Sequence, residues 1–292
     1  MDELRKNIIL MYGPEGMQWL DSLPDTISKI AKEHDLSALT PVDNMTFNYV
    51  ARGYQHNKPI ILKISMNNKS LSREVSCMRA YEKHAAKIIV SDNNMMIIQR
   101  IVPGKTLRDY FPNNDMAATK ILCACTKELH KVIIPKNHNF CHLSELFTIL
   151  DQKLDIPSEI VNQAKYLKDY LLKSTRKEVL LHGDLHHDNI LKKDNGWLVI
   201  DPKGLIGDPV YDLATYLCNP IPELLNEDMP ERIIMNRINI CSAECDIDAQ
   251  RVMDWLYAKT VLSWARRLRV NLESSYYLKF IATITYIMRK KG

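Results

Sequence analysis

The segment Val179-Leu180-Leu181-His182-Gly183-Asp184-Leu185-His186-His187-Asp188-Asn189-Ile190-Leu191 constrains this chain more than any other stretch. One apolar run delivers a polar loop and a second apolar run leaves it, a strand–loop–strand pattern. Asp184 and Asn189 stand five residues apart, and twelve residues after Asn189 the apolar Leu198-Val199-Ile200 delivers another acid, Asp201. Acids that follow strands are commonly turn residues. An Asp, an Asn at +5 and an Asp at +17, each with apolar flanks, are much less common, and together they suit phosphoryl transfer. One carboxylate orients the attacking hydroxyl and accepts its proton, while a carboxylate and an amide hold Mg²⁺ against the phosphates. Asp184 is the expected base, and Asn189 and Asp201 the expected ligands of a hard, oxygen-preferring ion. His182, His186 and His187 raise a zinc reading as well. Zinc needs convergent ligands and a satisfied second shell, which spacing alone does not provide, and histidines in such loops more often hold the backbone.

A nucleotide site also needs a cation. Ile60-Ile61-Leu62-Lys63-Ile64 places one Lys inside an apolar strand, where an unpaired charge is costly. A Lys snorkelling from a strand edge is the plain alternative. Glu74, eleven residues later on the following helix, is the expected partner; Glu82, two turns further along, competes with it.

The 292 residues suffice for two lobes or one large domain. A composition of 46% apolar and 25% charged residues argues against disorder or a fibrous class. With a net charge of +4 and Lys and Arg scattered among acids, nucleic acid is not an expected partner, and Arg289-Lys290-Lys291 reads as a frayed, solvated tail. The apolar run Ile8 to Met11 is too short for a signal peptide, and no stretch is long enough to span a membrane. A cytoplasmic protein, monomeric or weakly dimeric, is expected. The seven cysteines (77, 123, 125, 141, 218, 241 and 245) show no CxxC pair and read as reduced, mostly buried thiols.

Along the chain, an amphipathic helix is expected from Gly16 to about Leu36, restarting near Pro24 with Asp25 as its cap. Strands follow at Phe47 to Arg52, Pro59 to Ser65, Lys87 to Ser91 and Met95 to Val102, with a helix from about Ser70 to His84 between the second and third. Beyond Pro103-Gly104 helices dominate, at Met116 to Val132, Leu143 to Leu150, Glu159 to Leu172 and Ala249 to Leu268. Short strands interrupt them at Val179 to Leu181 and from Asn189 to Ile200. The pattern is α+β, with residues 1–100 forming a small antiparallel-sheet lobe behind a helical extension and residues 101–292 a mainly helical lobe.

This set of residues resembles the protein-kinase-like phosphotransferases, which use a strand Lys, a helix Glu, a catalytic-loop Asp and Asn, and a metal-binding Asp. His182-Gly183-Asp184 stands where protein kinases have HRD, and Asp201-Pro202-Lys203 where they have DFG; no activation segment follows. Those departures are similar to the aminoglycoside phosphotransferase family, and Gly207-Asp208-Pro209-Val210-Tyr211-Asp212-Leu213-Ala214 resembles its segment after the metal loop, with Asp212 structural. Gly16 to Pro24, Met45 to Val50 and Asp201 to Gly204 resemble the streptomycin 6-phosphotransferase and hydroxyurea phosphotransferase group. The resemblance implies that Asp43 to Asn48 covers the phosphates of ATP, with Asn44, Thr46 and Asn48 as donors although the loop has no glycine. It also implies a hinge at Gln99-Arg100-Ile101 whose Gln99 and Ile101 backbone groups face adenine. GTP remains an open alternative donor.

For the acceptor, the resemblance implies a small hydroxylated molecule, cationic in this family, and hence an acidic pocket. Between Asn219 and Trp255 eight acids (Glu223, Glu227, Asp228, Glu231, Glu244, Asp246, Asp248, Asp254) face three bases (Arg232, Arg237, Arg251). A solvated helical face is the plainer reading for most of them, and Trp255 and Trp264 read as core. Three functions follow: an O-phosphotransferase acting on a streptomycin-like aminocyclitol, a kinase of hydroxyurea or another metabolite, and a non-catalytic nucleotide-binding module.

Overall fold

A computed structural model describes residues 1–43 and 45–291, excluding the side chain of Lys291. The chain opens with helix α1 (Asp2–Glu33), followed by strands β1 (Leu36–Pro41), β2 (Asn48–Gln55) and β3 (Lys58–Ser65), helix α2 (Asn68–Tyr81), and strands β4 (Ile88–Ser91) and β5 (Met95–Gln99). These strands form one antiparallel sheet in the order β1-β2-β3-β5-β4. Period-2 alternation gives the sheet two faces. Ile60, Leu62, Ile64, Met95 and Ile97 are buried with Leu4, Ile8, Leu20 and Leu23 of α1. The alternate residues Met96 and Ile98, with Ile61, join Leu71, Val75, Met78 and Tyr81 of α2 in a second core. Lys63 follows Ile61 by two residues, so the pleat turns it toward α2.

Helix α2 begins where the Asn67 side chain accepts the Ser70 N–H (2.9 Å). Its buried residues, Leu71, Glu74, Val75, Met78 and Tyr81, recur at helical spacing, so Glu74 shares the inward stripe. After β5 come β6 (Pro103–Thr106), α3 (Asp115–Leu129), β7 (Cys141–His142), α4 (Leu143–Phe147), α5 (Ser158–Lys173), β8 (Val179–Leu181), β9 (Ile190–Lys193), β10 (Gly196–Val199), β11 (Leu205–Gly207), α6 (Val210–Leu217), α7 (Pro230–Cys245), α8 (Ala249–Arg269) and α9 (Tyr276–Lys291). Two small sheets, β10-β9-β6 and β7-β11-β8, frame the loop that carries Asp184. Trp255 and Trp264 are core residues, as read. All seven cysteines are free thiols; 77, 123, 218 and 241 are buried.

Several elements differ from the sequence reading. Helix α1 starts at Asp2, bends at Gly13 (φ +57°) and runs through Pro24 without the expected restart, so Asp25 is not a cap. Leu36 belongs to β1 rather than to the helix, and the last sheet strand ends at Gln99 rather than at Val102. The basic tail is helical through Lys291, with Arg289 and Lys290 exposed. The short helix α6, every residue of which is buried, is an element the sequence reading did not assign.

Candidate active site

The loop holding Asp184 is shaped by a buried acid. Asp212, in the first turn of α6 and fully buried, accepts the N–H groups of His182 (2.9 Å) and Gly183 (2.7 Å) and lies 3.0 Å from His130 Nε2. Gly183 sits at φ +80°, where a Cβ would meet Leu205 Cδ1 at 2.8 Å, so the close approach of the two loops requires glycine. His182 Nε2 lies 2.8 Å from the Ile200 carbonyl, and its Nδ1 accepts the Asp184 N–H (3.3 Å). Burial pushes its pKa down to about 4 against the pull of Asp212 and Asp184, so the ring is neutral at pH 7. His186 Nδ1 accepts the Asp188 N–H (3.3 Å), and His187 stacks on Tyr216 with centroids 4.0 Å apart. The three histidines therefore hold the loop.

Lys63 reaches α2 and the acid that follows β10 at once. Its Nζ donates to both Glu74 carboxylate oxygens (2.7 Å each) and to Asp201 Oδ1 (2.6 Å), which lies 138 positions away in sequence. Glu74, not Glu82, is the partner. Burial alone would lower the Lys63 pKa, but the Asp201 and Glu74 carboxylates overcome it and hold the ammonium charged. Burial pushes Glu74 up, against the pull of Lys63. Removing one member of such a pair strands a buried charge, at a cost of about 3–5 kcal/mol.

Asp184 and Asp201 keep 35% and 43% of their side-chain surface, so both open onto a cleft. Burial would raise the Asp184 pKa; the ammonium groups of Lys203 and Lys259 hold it well below the ordinary carboxylate range. Asn189 donates its Nδ2 to the Asp184 carbonyl (2.9 Å) and lies 3.2 Å from His186 Nε2, which leaves its Oδ1 as an acceptor. An amide oxygen and a partly exposed carboxylate, with no thiolate beside them, suit a hard ion such as Mg²⁺. Lys203, given no role by the sequence reading, lies 3.3 Å from Asp184 Oδ2.

The remaining positions are less closely gathered. Asn44 lies outside the described residues. Thr46 presents its carbonyl to Asn7 Nδ2 of α1 (3.2 Å), and Asn48 opens β2 opposite Ser65. The loop is closed at its base by Val42 N–H to Val50 O (3.0 Å). At the hinge, the Gln99 N–H donates to Lys87 O (2.8 Å) and the Arg100 N–H to Pro59 O (3.0 Å); the Ile101 N–H makes no backbone hydrogen bond among the described residues. A cleft of about 440 Å³ lies against the hinge, between Pro59, Gln99 and Leu198, and does not include Asp184.

The acids between 219 and 255 do not form one wall. Glu223 pairs with Arg108 (3.0 Å), Glu244 with Lys127 (3.7 Å), Asp248 caps α8, and Asp254 accepts from Gln250 (2.7 Å). Of the three bases, Arg237 is fully buried: it donates to both carboxylate oxygens of Asp115 and to the Asn219 carbonyl, between the rings of Phe111 and Tyr216.

The sequence profile of the aminoglycoside/hydroxyurea antibiotic resistance kinases matches residues 48–271. The chain belongs to that family. It is a phosphotransferase with an alcohol group as acceptor. Among relatives of this kinase, a streptomycin 3''-kinase of Klebsiella pneumoniae is 30% identical over 187 residues, covering 62% of this chain and 69% of its own. A streptomycin 6-kinase of Streptomyces glaucescens is 22% identical and covers 85% of this chain and 84% of its own. A hydroxyurea phosphotransferase of Kitasatospora aureofaciens is 21% identical over 85% of this chain and 74% of its own. The fold is that of the solved aminoglycoside phosphotransferases. One, in complex with ADP and hygromycin B, has a TM-score of 0.69 at 13% identity, covering 92% of this kinase and 98% of its own chain. Another, from Streptomyces rimosus with ADP and streptomycin, has a TM-score of 0.61 at 17% identity, covering 83% and 99%.

Proposed function

We propose that this kinase transfers the γ-phosphoryl group of ATP to a hydroxyl of a streptomycin-like aminocyclitol or aminoglycoside. In this reading Asp184 orients the hydroxyl and takes its proton. Lys63, held by Glu74, serves the nucleotide phosphates, and Asn189 with Asp201 would hold Mg²⁺, which when bound supplies charge neutralisation between the phosphates. The loop of Asn44, Thr46 and Asn48 would cover the phosphates, and the Gln99 and Ile101 backbone would meet adenine. The observation that carries the reading is the contact of Lys63 with both Glu74 and Asp201, which joins the strand cation to the metal-loop acid beside Asp184. Streptomycin kinases among the relatives support the acceptor class. Among the described residues no helix is long and apolar enough to cross a membrane. A cytoplasmic monomer or weak dimer is part of the proposal.

The test is a screen of hydroxyl acceptors by ADP or GDP release, run with ATP and GTP, with the product located by mass spectrometry. Streptomycin is expected to gain a phosphoryl group, and Asp184→Ala to lower kcat by about 10²–10⁴-fold. Folded enzyme that turns over hydroxyurea or a metabolite alcohol but leaves streptomycin intact would replace this reading with a second one, which the hydroxyurea relative favours. Nucleotide binding without turnover on any acceptor would point to a non-catalytic module.

A further inference from the structure

Lys203 stands two residues after Asp201 and is tied to the catalytic loop by its backbone: its N–H donates to the His182 carbonyl at 2.7 Å. Its ammonium lies 3.3 Å from Asp184 Oδ2 and 3.3 Å from the Asp201 carbonyl. An ammonium has three donors; the Asp201 carbonyl accepts one of them, and the Asp184 contact is an ion pair. Both are longer than the 2.6–2.7 Å contacts that hold Lys63, and the Lys203 side chain keeps 41% of its surface. Lys63 is fully engaged and buried; Lys203 is loosely held at the open edge, between the base and the metal-loop acid.

That edge is where charge develops during transfer. The acceptor O–P bond forms as the hydroxyl proton passes to Asp184. The bond from Pγ to the bridging oxygen breaks, and its electron pair leaves on the β-phosphate of ADP. Glu74, Asp184 and Asp201 bring three formal negative charges to the site and Lys63 one positive charge. With Mg²⁺ held by Asn189 and Asp201, Lys203 would add a further positive charge at the open edge, facing the polyanionic nucleotide. We propose that Lys203 is a catalytic residue of this reaction, a free N–H of its ammonium donating to an oxygen of the transferring phosphoryl group while the Asp201 carbonyl and the Asp184 carboxylate hold it in place. The proposal rests on the reading of the site as a nucleotide-dependent kinase. Lys203 keeps its proton throughout, so the step balances as written.

The experiment compares wild type, Lys203→Ala and Lys203→Arg in two measurements. Calorimetric titration without acceptor, in Mg²⁺, compares AMP-PNP, which carries a γ-phosphoryl group, with ADP, which does not. Lys203→Ala is expected to weaken AMP-PNP about tenfold and leave ADP unchanged, with Lys203→Arg restoring part of the difference. Single-turnover transfer should fall by about 10²–10³-fold in Lys203→Ala, with little change in the KM of the acceptor. Equal losses for ADP and AMP-PNP, an effect confined to acceptor KM, or wild-type transfer in Lys203→Ala would each overturn the assignment. If Lys203→Ala does not fold, Lys203→Met, which keeps the apolar stem and removes the charge, replaces it in both measurements with the same expected and overturning outcomes. Wild-type protein that binds neither nucleotide overturns the kinase reading itself, and this assignment with it.

Discussion

A base in a partly closed cleft must stay ionised, and Asp184, proposed as that base, is held so by Lys203 from the loop after β10 and Lys259 from α8. The loop's shape depends on histidines that burial keeps neutral. His182 and His187 both have pKa values pushed down from 6.5 to about 4 by burial. The folded state thus binds fewer protons than the unfolded chain between those values, so stability falls as pH drops from about 6.5 toward 4 and flattens below. The loss is at most about 3 kcal/mol for each ring. Urea unfolding at pH 7.5, 5.5 and 4.5 should show this decline, and His182→Gln should reduce it; an unchanged slope in that variant would remove His182 as its source. Asp184, Asn189, Asp201 and Lys63 were legible because each sits at a fixed spacing beside an apolar strand. Lys203 was not, since a lysine two residues after an acid looks like any solvated lysine.

Elements depend on contacts that a linear pattern does not display. Gly16 packs against the first part of α1 so closely that a Cβ would lie 2.7 Å from the Ile8 carbonyl, a backbone atom that cannot swing aside. Gly16→Ala should therefore destabilise the protein by about 1–3 kcal/mol despite the better helix propensity of alanine, seen as a lower Tm. Helices α3 and α7 are joined by the buried pair Asp115–Arg237. Arg237→Met strands the Asp115 charge and should cost about 3–5 kcal/mol in chemical unfolding, while Arg237→Met with Asp115→Leu should recover much of it. Equal instability of the single and double variants would contradict this account. In sequence, Arg237 looked like one of three bases diluting an acidic stretch; its partner is 122 residues away.

On the scale of the whole molecule, the sheet serves two cores, one with α1 and one with α2 and the helical region. The Lys63–Asp201 contact ties the sheet to the loop between β10 and β11. If the proposed nucleotide site is correct, ADP with Mg²⁺ at about 100 times its Kd should add about 2.7 kcal/mol of stability and raise Tm. Lys63→Met should abolish most of that rise; an equal rise in the variant would separate Lys63 from the nucleotide.

By itself the sequence determined the α+β class, the strands of the main sheet from β2 to β5, and the residue types and spacing of the proposed phosphoryl-transfer set. Those features are local: strand pleat, helix period and loop spacing are written in neighbouring residues. Only the tertiary structure decided that Glu74 rather than Glu82 meets Lys63, that Asp212 shapes the loop beneath Asp184, that four of the eight acids are caps or paired, and that Lys203 faces Asp184. Each of these depends on distances between residues far apart in the chain, and packing alone sets them.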